Sequence, residues 1–418
     1  MGHSGVSGQR VAVIGAGVVG LCAAHELNER GFDVTVVAGS RPASEAASFG
    51  NGGLVVPSHF EPFASPGLLR SGLKMLLSKS SPFGFEKLTP EVFRWGLKFL
   101  AAAKSSHVSR CAPVLVKLHL RSRELYETRY RGIECGYERS GELMLCRTQE
   151  GFDGERRLGE EAVKLGLTVR VLSRSALKDE EPEVEIDAVG AVGFEDDAHL
   201  SPPRFMAGIK DSLNGRFIGS DCTGFTCEAG KIKEVLLDQG DKVEADHFVL
   251  AAGSHTSRLA QKLGVSMPLL HGRGYGFTLP KINFPLRSPA ILTEGRVAVN
   301  PMPDGVRFVG TMELGPGQTP ELNKNRIAGM RETITQSYPQ LEVAQLEACP
   351  VWAGYRACPP DGMPYLGKST RCANAVIATG HGMMGMSLGP VSGEIVADVI
   401  EGKTPCVELD LLNPDRYG

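Results

Sequence analysis

Apolar residues run without a break from Val11 to Ile14, recur at helical spacing at Val18, Leu21, Cys22 and Leu27, and return in a strand-like stretch from Phe32 to Val37. Gly31 stops the helix between the last two. The pattern predicts a strand, a helix and a second parallel strand. Its first turn reads Gly15-Ala16-Gly17-Val18-Val19-Gly20. In that spacing Gly15 allows a tight turn, Gly17 has no side chain to keep a pyrophosphate from the backbone, and Gly20 lets helix and strand pack closely. A dinucleotide site is therefore expected at the start of the chain.

Further along, the stretch from Ala47 to Gly67 is rich in Gly, Ser and Pro and longer than an ordinary connection, as functional loops are. Helical patterns fill most of Thr89 to Tyr130, and Glu134 to Thr148 reads as a hairpin with Glu142 to Arg147 as its clearer strand. Helices follow at Gly154 to Leu165 and at Leu200 to Leu213, the latter entered through Ser201-Pro202-Pro203. A second strand-to-helix turn is expected where the apolar strand Phe248 to Ala252 meets Gly253, with Ser254, His255, Thr256 and Ser257 as N-cap candidates. Residues 266–345 alternate short strands with Pro-rich turns before a helix at Lys324 to Ser337. A third such turn follows the strand Val376 to Thr379, running Gly380-His381-Gly382-Met383-Met384-Gly385 into a helix with Val391, Ile395, Val396 and Val399 on one face.

Three turns of one kind, separated by other material, imply an α/β fold with a Rossmann-like domain built from separated pieces of chain. The expected division gives 9–60, 150–265 and 346–418 to the cofactor domain. It gives 61–149 and 266–345 to an α+β substrate domain with an antiparallel sheet.

Length and charge narrow the class. The 418 residues suit two domains, and a net charge of −3 gives no reason to expect nucleic acid. No apolar run is long enough to span a bilayer, and Met1 to Arg10 lacks the hydrophobic region of a signal peptide, so a cytoplasmic location is expected. Gly67 to Leu77, with Arg70 and Lys74, is amphipathic. It reads as a packed surface helix or as a peripheral membrane contact. The ten cysteines contain no Cys-x-x-Cys pair and read as reduced core thiols, with no metal framework. Oligomeric state stays open.

The second strand should end in an acid that holds the adenosine ribose; Ala38 stands there, followed by Gly39, Ser40 and Arg41. A small residue followed by Arg admits NADP. FAD, with its ribose held by Ser40, backbone or water, is the other reading.

Taken together, GAGVVG at Gly15 to Gly20, SFGNGG at Ser48 to Gly53, GYRACPPDGMPYLG at Gly354 to Gly367 and ATGHGMMG at Ala378 to Gly385 resemble the FAD-dependent D-amino acid oxidase superfamily. Within it the resemblance is to bacterial D-amino acid and hydroxy-D-proline dehydrogenases. It implies FAD rather than NADP, with pyrophosphate at Gly15, Gly17 and Gly20 and with Ser48, Asn51, Gly52 and Gly53 along the flavin. It also places Gly380, His381, Gly382, Met383, Met384 and Gly385 by the flavin pyrimidine. The chain departs from the family pattern at Ala38 and Ala47. Cys358 does not match the register of the cysteines that carry flavin covalently in some members, so dissociable FAD is expected.

The implied reaction passes the Cα hydride of an amino acid to flavin N5 and leaves an imino acid that water hydrolyses to a 2-oxo acid and ammonia. A carboxylate anchor is then required, and the planar fork of Arg356 suits it. Tyr275 is a second candidate for holding a carboxylate or closing the pocket, and His59 and His271 are candidate polar groups of its wall. The leading expectation is a D-amino acid dehydrogenase passing electrons to a quinone or another acceptor. The alternatives are a hydroxy-D-proline dehydrogenase, a glycine or sarcosine type oxidase, and the flavin subunit of a larger complex.

Overall fold

The computed structural model describes residues 8–40, 43–67, 81–317 and 321–418. Arg41 and residues 68–77 of the amphipathic stretch lie outside them.

A six-stranded sheet carries the three expected turns. Its order is Tyr365–Lys368, Ala375–Thr379, His247–Leu250, Arg10–Ile14, Asp33–Val37, Arg216–Ile218, parallel throughout except for the first, which pairs antiparallel with the second. Successive side chains of a strand alternate between faces. Val11 and Val13 accordingly pack with the helices Val18–Glu29, Ser105–Thr128, Pro202–Ser212 and Gly385–Glu401, while Ala12 and Ile14 pack under Ile232, Val235 and Leu259. Burial on both faces explains why these strands read as continuous apolar runs. The helices Val18–Glu29 and Gly385–Glu401 lie unusually close, because Gly389 and Gly393 face Val18 and Cys22; a Cβ on Gly393 would come within 2.6 Å of the Cys22 backbone.

The second layer is a nine-stranded, mostly antiparallel sheet. It runs Trp352–Cys358, Leu270–Leu279, Gly305–Gly315, Val297–Met302, Ala290–Leu292, Glu142–Cys146, Gly190–Phe194, Val169–Ser173, with Phe83–Phe85 beside the far end of Gly305–Gly315. The helix expected at Lys324 to Ser337 spans those residues, with Asn323 accepting from Arg326 N as its cap.

Several expectations differ from what is seen. Glu142–Cys146 pairs with Gly190–Phe194 and, in parallel, with Ala290–Leu292; from Glu134 to Ser140 only Glu138 bridges, to His199, so the local hairpin does not form. Val169–Ser173, Gly190–Phe194 and Trp352–Cys358 belong to the nine-stranded sheet, although the expected division put them with the cofactor layer. A short 3-10 turn, Gly253–His255, precedes the helix Thr256–Gln261, and none of the N-cap candidates closes it through a side chain.

Candidate active site

The three glycine-rich turns meet at the carboxyl edge of the six-stranded sheet. Gly15 has φ of 114°, and a Cβ there would overlap the Ala251 carbonyl; a Cβ on Gly20 would overlap that of Gly15. Gly17 is the N-cap of Val18–Glu29 and makes no side-chain cap. The cap comes instead from Ser48, whose Oγ accepts from Val18 N at 3.0 Å. The loop of Ser48 to Gly53 therefore sits against the first helix N-terminus. Asn51 ties this loop to the C-terminal turn, accepting from Gly53 N at 2.8 Å and donating from Nδ2 to Met383 O at 3.4 Å. Gly253 joins the cluster through its carbonyl, which accepts from Thr379 Oγ1 at 2.8 Å.

From the other layer, Arg307 donates from Nη1 to Phe49 O at 2.8 Å and to Asn51 O at 3.2 Å, and Asn300 donates to Gly52 O at 2.6 Å. Burial pulls the Arg307 pKa down to about 10, which leaves it charged at neutral pH. Nothing in the sequence marked Asn300 or Arg307.

Each helix N-terminus leaves N–H groups without an intrahelical partner and carries a partial positive charge. Val18–Glu29 and Gly385–Glu401 both start here, with no acid in either first turn. Anionic pyrophosphate and an electron-rich ring suit such a cradle. The residues present therefore fit FAD.

Arg356 lies on the edge strand of the large sheet, joined to the C-terminal turn through its neighbour: Gly382 N donates to Ala357 O at 2.9 Å. Its guanidinium rests over Gly274, where any Cβ would overlap it. Gly272, on the same face of the adjoining strand, makes room in the same way for Met312 and Cys358, whose sulfurs a Cβ there would overlap. Nη1 of Arg356 donates to Thr311 O at 2.8 Å. Thr311 has φ of 65° and sits where the register between Leu270–Leu279 and Gly305–Gly315 slips by one residue. Such a bulge re-aims a backbone group, and positive φ in a β-branched residue is a strained conformation found at functional sites. Burial works against the charge of Arg356, and among the described residues no carboxylate pairs with it. A guanidinium so placed can take a planar carboxylate from outside the chain.

The other expected residues fall differently. Tyr275 follows Gly274, so its side chain faces the opposite side of the sheet. Its hydroxyl donates to Glu313 at 2.6 Å and accepts from Asn323 N at 3.2 Å, in a network that Arg326 completes at 2.6 Å. That network holds the start of Lys324–Ser337 and does not face Arg356. His381 points inward, with Nε2 2.8 Å from Ser392 Oγ, and burial pulls its pKa down to about 4; only its backbone belongs to the turn. His59 lies 3.1 Å from Ser58 Oγ, pulled down to about 4 by burial and by the Arg296 charge. His119, which sequence reasoning missed, lies 2.7 Å from Ser387 Oγ and is held down by burial and by His59 and His381. These three histidines are neutral at pH 7. His271 packs edge-on to His255 and Tyr355.

Below His59, Ser58 N donates to Asp197 at 3.0 Å, and Asp197 is buried beside Glu142. Burial pushes the Asp197 pKa up to about 7 and that of Glu142 up as well, so the two carboxyls share a proton near neutral pH. Burial also pushes the Cys358 thiol up to about 12, which leaves it a poor nucleophile.

The family model described as DAO: FAD dependent oxidoreductase matches residues 10–399. D-amino acid dehydrogenase of Bradyrhizobium diazoefficiens is 31% identical over 423 residues, covering 98% of this chain and 99% of that protein. The enzyme of the same name from Rhodopseudomonas palustris is 29% identical over 421 residues, 98% of each. Among solved structures, glycine oxidase from Geobacillus kaustophilus matches with a TM-score of 0.75 at 21% identity, over 98% of this chain and 100% of that one.

Proposed function

Because the chain belongs to the DAO family of FAD-dependent oxidoreductases, we propose that it oxidises D-amino acids as a dehydrogenase, with Arg356 as the carboxylate anchor. The observation that carries this reading is a guanidinium held over a glycine floor, beside the Gly380–Gly385 turn, with a backbone carbonyl as its hydrogen-bond partner. Bound FAD supplies the acceptor for a hydride from Cα.

The chain's own residues bind and orient. Thr311 O takes one of the five N–H groups of Arg356, which leaves a pair for a bidentate hold on the substrate carboxylate. Gly274 leaves room for the guanidinium itself, and Trp352 packs against Gly50 and donates to Ser44 O at 3.0 Å. The amine loses the Cα hydride and one proton, and the imino acid released is hydrolysed by water to a 2-oxo acid and ammonia. Fixing the reacting carbon is the protein's main task here.

The names of the curated relatives support a dehydrogenase that acts on D-amino acids; electrons then pass to a quinone or a comparable acceptor. No helix among the described residues is long and apolar enough to cross a membrane. The helix Pro90–Ala102 supports a peripheral contact: Val92 and Trp95 are buried, while Phe93, Leu97 and Leu100 are exposed beside Arg94. Anaerobic mixing with paired D- and L-amino acids tests the assignment. Flavin bleaching by the D series alone, with little peroxide in air, is expected. Bleaching by glycine or sarcosine with stoichiometric peroxide identifies an oxidase instead, and bleaching by the L series overturns the stereochemical reading. Flotation with vesicles containing anionic lipid tests the membrane contact.

A further inference from the structure

The strand Asp33–Val37 ends at Ala38, where a dinucleotide fold ordinarily presents the acid that accepts from the adenosine hydroxyls. The neighbouring strand Arg216–Ile218 runs parallel to it with Val37 opposite Ile218, and Ala38 N donates to Ile218 O at 2.8 Å. Both chains thus leave the sheet side by side at the same edge. After Ile218 the chain turns back, and Asp221 comes to lie against Gly39 and Ser40. Ser40 Oγ donates to Asp221 Oδ2 at 2.6 Å and Ser40 N to Oδ1 at 3.4 Å.

Two further observations show that the carboxylate is placed rather than adrift. Asp221 N donates to Asp238 Oδ1 at 3.2 Å and Asp238 N returns a bond to Asp221 O at 3.0 Å, while Ser220 Oγ donates to the same Asp238 carboxylate. On the facing side the chain is cut back to receive it: a Cβ at Gly39, which has φ of 71°, would stand only 3.1 Å from Asp221 Oδ1. Gly39, next to the position that lacks the ordinary acid, therefore makes room for a different one. A carboxylate has about four lone-pair sites, so those not used by Ser40 remain available on an exposed side chain.

We propose that Asp221, brought over from the neighbouring strand and steadied by Ser40, replaces the missing acid and accepts hydrogen bonds from the adenosine hydroxyls of FAD. The same carboxylate would repel a 2′-phosphate, which accounts for FAD rather than NADP in a chain with no acid at Ala38.

The test is the rate at which purified holoenzyme releases FAD on dilution, followed by flavin fluorescence, and its exchange with FAD lacking the adenosine 2′-hydroxyl. Asp221→Ala is expected to weaken FAD retention by about tenfold to a hundredfold, the range for a hydrogen bond to a charged group. Adding Ala38→Asp to that variant should restore most of it. The 2′-deoxy cofactor should bind less tightly than FAD to the parent and equally to Asp221→Ala. Retention within about twofold of the parent, or an equal 2′-deoxy penalty in both proteins, overturns the proposal. If Asp221→Ala does not fold, the parent decides: equal affinity for FAD and its 2′-deoxy form refutes the role. A protein that carries no FAD at all would instead fail the family reading.

Discussion

Replacing Arg356 is the most informative perturbation of the site. Among the described residues the guanidinium has Thr311 O and no carboxylate as its partner, so Arg356→Ala removes little that holds the fold together, and FAD should stay bound. In the substrate complex the same change strands a desolvated carboxylate. Removing one partner of a buried ion pair costs roughly 3 to 5 kcal/mol, or about a hundredfold to a few thousandfold in kcat/KM. Arg356→Lys keeps the charge but cannot both reach Thr311 O and present a planar fork, so it should fall between. Gly274→Ala supplies an independent check, because its Cβ overlaps the guanidinium without removing it. It should raise KM for amino acids and hardly change FAD retention. The assay is steady-state turnover of a D-amino acid with an artificial acceptor, alongside the corresponding amine without a carboxyl group, which should respond far less. If Arg356→Ala turns over D-amino acids within about threefold of the parent, Arg356 is not the anchor and the site built around it is wrong.

Three other outcomes are expected. Gly17→Val should give a folded protein that purifies without FAD, read from its absorbance and melting curve, because a branched side chain fills the approach of the pyrophosphate; a yellow Gly17→Val protein would mean the fingerprint is misplaced. Arg307→Ala leaves the Phe49 and Asn51 carbonyls without their donor, so FAD should dissociate faster while Arg356-dependent substrate affinity stays near the parent value, measured by dilution and by KM. The Glu142 and Asp197 pair fixes a pH dependence. Both pKa values are raised on folding, that of Asp197 from 3.8 to about 7, so the folded state holds more protons and this pair's contribution declines as pH rises through 7. Asp197→Asn should flatten the fall in melting temperature between about pH 4 and 7, and an unchanged slope would assign it elsewhere.

Much of the fold was legible because its signals are local. The helix Lys324–Ser337 has an Asn cap at one end and loses its apolar repeat at the other, and both marks lie within a few residues of it. The three strand-to-helix turns are legible for a similar reason: their glycines answer to backbone clashes, such as Gly20 against the Gly15 carbonyl, that any sequence adopting the turn must avoid. The hairpin expected at Glu134 to Thr148 failed on a non-local fact. Glu142–Cys146 finds its partners at Gly190–Phe194 and Ala290–Leu292, and nothing in the strand itself states which partner it takes. The same holds for Trp352–Cys358, whose place in the large sheet depends on pairing with Leu270–Leu279.

At the site the division falls between what must approach and what must hold. Gly15, Gly20 and Gly53 are readable because the close approach of another backbone restricts each to a residue without a side chain. Tyr275 lies on the other face, as the strand's own alternation requires: one residue from Gly274, it has to face away from the guanidinium that Gly274 accommodates. Thr311, Asn300 and Arg307 left no mark at all, because each works through a main-chain carbonyl, its own or a neighbour's. A carbonyl is common to every residue and imposes no identity on its partner, so a loop can be held by an asparagine and an arginine some 250 positions away in the chain with nothing in the loop to announce them. Asp221 extends the argument to the cofactor: the requirement for an acid is local to the ribose, but the residue that meets it can arrive on any strand that ends beside it.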